Sequence, residues 1–568
     1  MNILASKRKK IRIGCLLTSL ILLISFCIVF NIITKLTPPK PTDLSSLKLQ
    51  RIQIDSNFYV CGNNWLQKNN YGLWELYVEG TAFERGVING KLTKDLIWKQ
   101  EDAFVEQINQ IIPSRFYLHF LKYLISWFNR DIDQCIEPEY LLEIYGISQS
   151  ASNNYNFIGS KYERILNYHG AHDIGHAMQD YHIVGCTSFS TWGLKSEDTT
   201  LLIGRNFDFY VGDKFAEDKI VCFINPDKGY KLMMVTWGGM IGAVSGMNEK
   251  GLTITLNAGK SEIPYEAATP ISIIAREILQ YAKNINEAFA IAKKHKSFVS
   301  ESLMIGSLED NKTVIIEKTP LTTTMFASDT NFIICSNHFQ SKELKNTDLN
   351  IQNIKESSSM FRYNRVMELL NSYPTMNVTN AAELLRNKEG LGNKQIGMGN
   401  EKSINQLIAH HSIIFKPAQK MVWVSTNPYQ LGAYVAYDLN KIFANFKGLK
   451  VKTEIITPSL TIAADSFLLS SDYQSYLKYR KYKQLLSFFI KNAPYIQLPE
   501  SFIISFINTN PKNYLTFMLA GEYYQKKNNY SKAMVYYQLA LTKEIATHTE
   551  QNQINENITK CKNHIDND

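Results

Sequence analysis

The sequence predicts an α+β chain, a layered sandwich of mainly antiparallel sheets set between helical ends. Three observations carry this. From Asn57 to about Asn154 the pattern is mostly helical. From Cys186 it changes to short runs rich in β-branched and aromatic residues, with helices between them. From about Ser459 it is helical again. Runs of strands with intervening helices on this scale fit packed layers around shared cores.

The N-terminus comes first in the chain. Lys7, Arg8, Lys9, Lys10 and Arg12 precede Ile13 to Thr34, a run of 22 residues without a charge. About 20 apolar residues span a bilayer as a helix, whereas signal-peptide cores run to about 7–15. No small-x-small cleavage site follows; Ser25-Phe26-Cys27 lies inside the run, and Gly14-Cys15 precedes it. Residues 1–12 are therefore read as a cytoplasmic basic tail and 13–34 as a transmembrane signal anchor. The bulk of the chain is then exported, to a periplasmic, lumenal or extracellular side. Residues 35–56, with Pro38, Pro39 and Pro41, read as a linker. Residues 57–185 read as mostly helical, with a Gly80 and Gly86 turn leading into a helix near Val87–Trp98.

Residues 186–455 carry the strands. Cys186–Trp192, Leu201–Tyr210, Ile220–Asn225, Lys231–Trp237 and Gly251–Asn257 are the first five. Apolar spacings of three and four predict one helix over Ile271–Ala292. Leu303–Ser307 and Thr313–Glu317 flank a hairpin turn, Phe332–Ser336 is a further strand, Ser358–Ser372 is helical, and Ser412–Phe415 with Met421–Ser425 closes the series. Residues 456–568 are helical. There Phe517, Ala520, Gly521, Tyr524, Ala533, Tyr537 and Ala540 resemble a single tetratricopeptide repeat packed on 472–491; a plain helical hairpin fits as well.

Composition narrows the function. The net charge of +9 has no basic stripe with interleaved aromatics, so no nucleic-acid partner is expected. The eight cysteines include no CxxC pair, which argues against a zinc ribbon or redox motif, although export would permit disulfides. Asn311, Asn377, Asn529 and Asn557 begin N-x-S/T triplets.

The chemistry gathers around Gly185-Cys186-Thr187-Ser188 and Gly204-Arg205-Asn206-Phe207-Asp208. Two strands joined by a tight connection would bring Arg205 and Asp208 beside Cys186. A guanidinium favours the thiolate. Gly185 leaves the preceding carbonyl open, so the thiol can attack it and shift the bond from nitrogen to sulfur. Hydrolysis of that thioester frees an α-amino group on Cys186, whose reference pKa of ~7.7–8.0 suits a general base. One residue would then supply nucleophile and base.

These blocks resemble the cysteine N-terminal-nucleophile (Ntn) hydrolases, specifically the isopenicillin-N acyltransferase (acyl-CoA:6-aminopenicillanic acid acyltransferase) branch, with choloylglycine hydrolases, penicillin V acylases and acid ceramidase more distant. The resemblance runs from about Leu76 to Asn427. It includes Glu79-Gly80-Thr81-Ala82-Phe83-Glu84-Arg85-Gly86, Gly246 to Leu252, Ser336-Asn337-His338-Phe339 and Ser358 to Arg365. It implies a four-layer αββα sandwich, a pro-segment ending at Gly185, and cleavage between Gly185 and Cys186. It implies roles for Cys186 as nucleophile, Arg205 as the residue orienting the thiol, Asp208 as holder of the freed amine and Asn257 as oxyanion donor. Asn337 matches a second active-site asparagine, and Arg362, or Arg365 as the fallback register, a distal arginine. The implied substrate is a small-molecule acyl amide, with acyl-CoA a conceivable donor and no cofactor or metal. Water as acceptor gives a hydrolase; an amine gives an acyltransferase.

Two other readings stand beside this one. His169, His172, Asp173, His176, Asp180 and His182 form a cluster that could hold a metal for a metal-dependent hydrolase. The anchor and the C-terminal repeat could instead make a membrane-bound scaffold for a protein partner.

Overall fold

In a computed structural model, residues 2–111, 123, 125–177, 185–210, 212–262, 267–492 and 498–567 are described. The strands are β1 (Ile52–Asp55), β2 (Phe58–Cys61), β3 (Asn64–Lys68), β4 (Trp74–Gly80), β5 (Thr187–Thr191), β6 (Leu202–Phe207), β7 (Ile220–Pro226), β8 (Leu232–Thr236), β9 (Ser245–Asn248), β10 (Leu252–Ala258), β11 (Glu301–Ser307), β12 (Lys312–Lys318), β13 (Thr323–Ala327), β14 (Phe332–Cys335), β15 (His411–Lys416), β16 (Met421–Ser425) and β17 (Tyr434–Asp438). Among the described residues they form two sheets. One runs β1-β2-β3-β4-β7-β8-β9-β10-β11-β12-β13, the other β14-β5-β6-β15-β16-β17. Neighbours are antiparallel except β4 and β7, which pair in parallel from Trp74 opposite Ile220 to Gly80 opposite Pro226.

Three apolar cores order the layers. Met233, Val235, Met304 and Ile315 of the first sheet meet Ile203, Ile413 and Val424 of the second. The outer face of the first sheet, through Leu76, Val78, Ile254 and Leu303, packs on helices Ala82–Leu92, Ile271–Tyr281 and Ile285–Lys294. The outer face of the second, through Leu202, Ile414 and Trp423, packs on helices Ser359–Ser372 and Val378–Leu385. The central strands thus bury apolar side chains on both faces, which accounts for their continuous apolar runs, while the edge strands β1 and β13 are partly or wholly exposed.

The first surprise lies before Cys186. The stretch expected to be linker and then mostly helix opens with β1 to β4. Helices do follow, at Ala82–Leu92, Lys94–Ile111, Pro138–Ser148 and Lys161–Ala177. β3 and β4 are buried on both faces, so they lack the polar alternation that marks a half-exposed strand. Trp65 and Tyr77 point into the inter-sheet core, while Leu66, Leu76 and Val78 point to the helices.

The single helix expected over 271–292 is two. Ala282 is extended, and the Asn284 side chain accepts from Glu287 N, capping a second helix Ile285–Lys294. The sequence Asn284 to Glu287 carries that cap signal, which the apolar periodicity overrides.

At the C-terminus, helices Tyr514–Lys526 and Tyr530–Leu541 form a hairpin that packs on Ser471–Asn492 and His548–Asn567. Gly521 lets the hairpin close: a Cβ there would lie 2.8 Å from the Tyr537 ring. At the other end, Ile13–Thr34 is long and apolar enough to cross a membrane, and Leu16, Ile21 and Phe26 are exposed along it. Cys61, Cys135, Cys222, Cys335 and Cys561 are unbridged thiols, as is Cys186.

Candidate active site

Cys186 sits immediately before β5, and Asp208 immediately after β6. The two strands pair with Ser188 opposite Arg205. This register carries the guanidinium back to the thiol: Arg205 Nη2 is 3.7 Å from Cys186 Sγ. Backbone closes the other side, with Gly185 N–H donating to the Asp208 carbonyl at 3.0 Å. Arg205 is fully buried and held through both terminal nitrogens. It donates to the Leu256 carbonyl and to Ser245 Oγ, and its plane lies 4.2 Å above the Phe207 ring.

β10 and the end of β14 supply the asparagines. Asn257 Nδ2 donates to the Cys335 carbonyl at 3.0 Å, and its Oδ1 accepts from Ser188 Oγ at 2.7 Å. Asn337 Nδ2 donates to the Ala258 carbonyl at 3.1 Å. Its Oδ1 accepts from Arg362 Nη2 at 2.5 Å, and Arg362 Nη1 reaches the Glu401 carbonyl at 2.9 Å. Arg365 faces elsewhere, onto Glu368, Asn387, Glu389 and Asn393. Of the two registers the sequence left open, Arg362 is the one that meets Asn337.

Burial governs the charges. It pushes the Cys186 thiol up to about 11, with Asp208 and Glu301 adding to the rise and Arg205 opposing it. Burial also pushes Asp208 up to about 7, against the pull of Arg362 and Arg205. Neither Asp208 carboxylate oxygen has a hydrogen-bond partner among the described residues, although the side chain is wholly buried. A buried carboxylate in that state is costly and invites a donor.

Several neighbours carry no sequence signal. Ser245 Oγ links Arg205 to His411 Nε2 at 2.9 Å, and His411 Nδ1 lies 2.9 Å from His410 Nδ1. Burial holds both imidazoles well below the usual histidine range, hence neutral. Gln406 Nε2 donates to the Gly185 carbonyl at 2.7 Å. Beside it opens a cavity of about 220 Å³ lined by Gly185, Asn337, Arg362, Glu401, Gln406 and Thr547. These contacts depend on long-range chain return, which spacing alone does not encode.

The histidine cluster is described only at His169. Its Nδ1 lies 2.8 Å from the Ile165 carbonyl, and its Nε2 accepts from Ile241 N–H at 3.0 Å, so both nitrogens are engaged. The side chains of His172, Asp173, His176, Asp180 and His182 lie outside the described residues.

Residues 194–428 match the model of the family described as acyl-coenzyme A:6-aminopenicillanic acid acyl-transferase. The match contains Arg205, Asp208, Asn257, Asn337 and Arg362, and begins after Cys186. An uncharacterized protein of Archaeoglobus fulgidus is 23% identical over 250 residues, 41% of either chain. Protein dcd1B of Dictyostelium discoideum is 22% identical over 276 residues, 45% of this chain and 52% of that one. The chain thus spans about half, or less, of these relatives' length. Among solved structures, the Caenorhabditis elegans orthologue of N-acylethanolamine-hydrolyzing acid amidase is 14% identical, covering 41% of this chain and 93% of that one at a TM-score of 0.30. A mutant of conjugated bile acid hydrolase from Clostridium perfringens is 14% identical, covering 47% and 96% at 0.32. In sequence, the chain is related through residues 194–428 to the acyl-coenzyme A:6-aminopenicillanic acid acyl-transferase family.

Proposed function

We propose that the chain is a self-processing cysteine Ntn enzyme that cleaves or transfers the acyl group of an amide through a Cys186 thioester. One observation carries the reading: the buried Asp208 carboxylate has no hydrogen-bond partner among the described residues, and its own backbone carbonyl accepts from the Gly185 N–H, next to Cys186. A cut before Cys186 creates the missing partner, an α-ammonium group. The layered cores described above support a four-layer αββα sandwich of the Ntn type, with 186–455 as catalytic domain, 57–185 as pro-segment and 456–568 as a helical, tetratricopeptide-like region. Residues 13–34 would anchor it in a membrane with the catalytic part exported.

The chemistry runs in two stages. In maturation, Cys186 Sγ attacks the Gly185 carbonyl carbon, the C–N bond breaks, and the departing nitrogen takes the thiol proton. Water then hydrolyses the thioester, leaving a Gly185 carboxylate and a free thiol. In turnover, the freed amine takes the thiol proton and the thiolate attacks the substrate amide. Asp208 holds the amine in place. Arg205 steadies the thiolate, and Asn257 donates to the developing oxyanion. The leaving amine departs with the proton, and water or a second amine resolves the acyl-enzyme. The family match supports acyl transfer, with acyl-CoA as a candidate donor, and the same machinery with water gives hydrolysis.

Intact mass of denatured wild type and Cys186→Ala tests the reading. Two chains from wild type, the second starting at Cys186, and one chain from the variant are expected. A folded wild type that stays whole would sink it.

A further inference from the structure

We propose that Gln406 is the hydrogen-bond donor that activates the Gly185 carbonyl for the chain's own cleavage, a catalytic residue of maturation. This rests on the self-cleavage reading above. The amide Nε2 of Gln406 donates to the oxygen of the bond that would break, at 2.7 Å. The side chain is buried, at 3% exposure, so that bond competes little with water. A Cβ on Gly185 would lie 2.6 Å from Gln406 Nε2, which ties the glycine before the cut to the glutamine beside it.

The loop that presents Gln406 is built to hold it. Asn405 Oδ1 accepts from Leu407 N–H at 3.0 Å, and Asn405 Nδ2 donates to the Arg386 carbonyl at 3.3 Å. Leu407 takes a φ of 57°, a left-handed conformation that a branched side chain adopts only when its surroundings impose it. The strain falls on the residue next to the donor.

When Cys186 Sγ adds to the Gly185 carbon, the carbonyl electron pair moves to the oxygen. Gln406 receives that negative charge through its N–H, without any proton transfer to or from the amide. When the oxygen's electron pair re-forms the carbonyl, now a neutral thioester, the C–N bonding pair leaves on the nitrogen, which takes up the thiol proton. Asn257 is not placed for this task in the intact chain, because its amide is engaged by Ser188 and the Cys335 carbonyl.

The test follows cleavage of the full chain in time after synthesis in a cell-free system with detergent, read by intact mass. Gln406→Leu removes the donor and should slow cleavage about 100-fold, the usual consequence of deleting one oxyanion donor. Gln406→Glu keeps the shape; its carboxylate cannot donate, so cleavage should be slow at neutral pH. It should quicken as pH falls and the acid form regains an O–H, an acceleration wild type does not share. Should Gln406→Leu fail to fold, judged by thermal unfolding, Gln406→Glu and Gly185→Ala decide. The new methyl in Gly185→Ala pushes the amide aside and should also retard cleavage. Wild type that cleaves while the Gln406 variants keep pace overturns this inference and leaves the self-cleavage reading standing. Folded wild type that never cleaves overturns both.

Discussion

Glu143 accepts from Arg85 at 2.8 Å and lies 3.5 Å from Arg276, all three side chains being buried. Arg85 and Glu143 precede Cys186 and Arg276 follows it, so the triad ties together what a cut would divide. The parallel pairing of β4 with β7 does the same with backbone. The two chains of a processed protein should therefore co-elute in native size exclusion and part only in denaturant. Glu143→Ala, which strips the buried Arg276 of its anion and leaves Arg85 with Asp227 alone, should cost about 3–5 kcal/mol in urea unfolding of the processed pair.

Asp208 gives a pH-dependent expectation. Burial raises its folded pKa from 3.8 to about 7. Its folded form therefore binds a proton that the unfolded form has released. The resulting stability is full below about pH 4 and is lost as pH rises toward 7. Asp208→Asn, made in Cys186→Ala so that both proteins stay whole, removes this loss. The variant should melt higher than its parent at pH 8, by about 1 °C per kcal/mol regained, with the gap closing as pH falls toward 4. An equal gap at both ends of the range would refute the burial argument.

Asn257→Ala removes the amide proposed to face the substrate oxyanion. Turnover of an N-acyl amide by the matured protein should fall about 100- to 1000-fold in kcat, with little change in KM. A rise in KM alone would make Asn257 a binding residue instead.

The anchor invites a truncation. Leu36 is buried against Ile97, Ile132 and Ile144, so the folded body begins there. A chain of residues 36–568 should stay in the supernatant after high-speed centrifugation and still be cut before Cys186. Whole protein should sediment with vesicles. Sedimentation of both forms would place the membrane contact elsewhere.

How much of this was legible in sequence varies with the distance an interaction spans. β5 and β6 and the residues between Cys186 and Asp208 read out well, because one tight connection fixes which side chains face each other. Asn257, Asn337 and Arg362 could be placed only by resemblance, since three separate chain excursions bring them together. β4 escaped because burial on both faces erases alternation, and β17, written Tyr434-Val435-Ala436-Tyr437-Asp438, escaped for the same reason. Gln406 had no signal at all: it is one polar residue in a loop, and its meaning comes only from the Gly185 oxygen it meets.

The C-terminal helices touch the catalytic body at a telling place. Ser358 Oγ donates to the Ala546 carbonyl at 2.8 Å, and Asn400 Nδ2 to the Glu544 carbonyl at 2.9 Å. Thr547 and Thr549, from the same stretch, stand on the wall of the cavity beside Gly185. The rim of that cavity is thus borrowed from a part of the chain that, among the described residues, contributes no strand to either sheet. Its shape and polarity can drift over generations by single changes at these threonines, while the buried cysteine, arginine and aspartate go on folding as before.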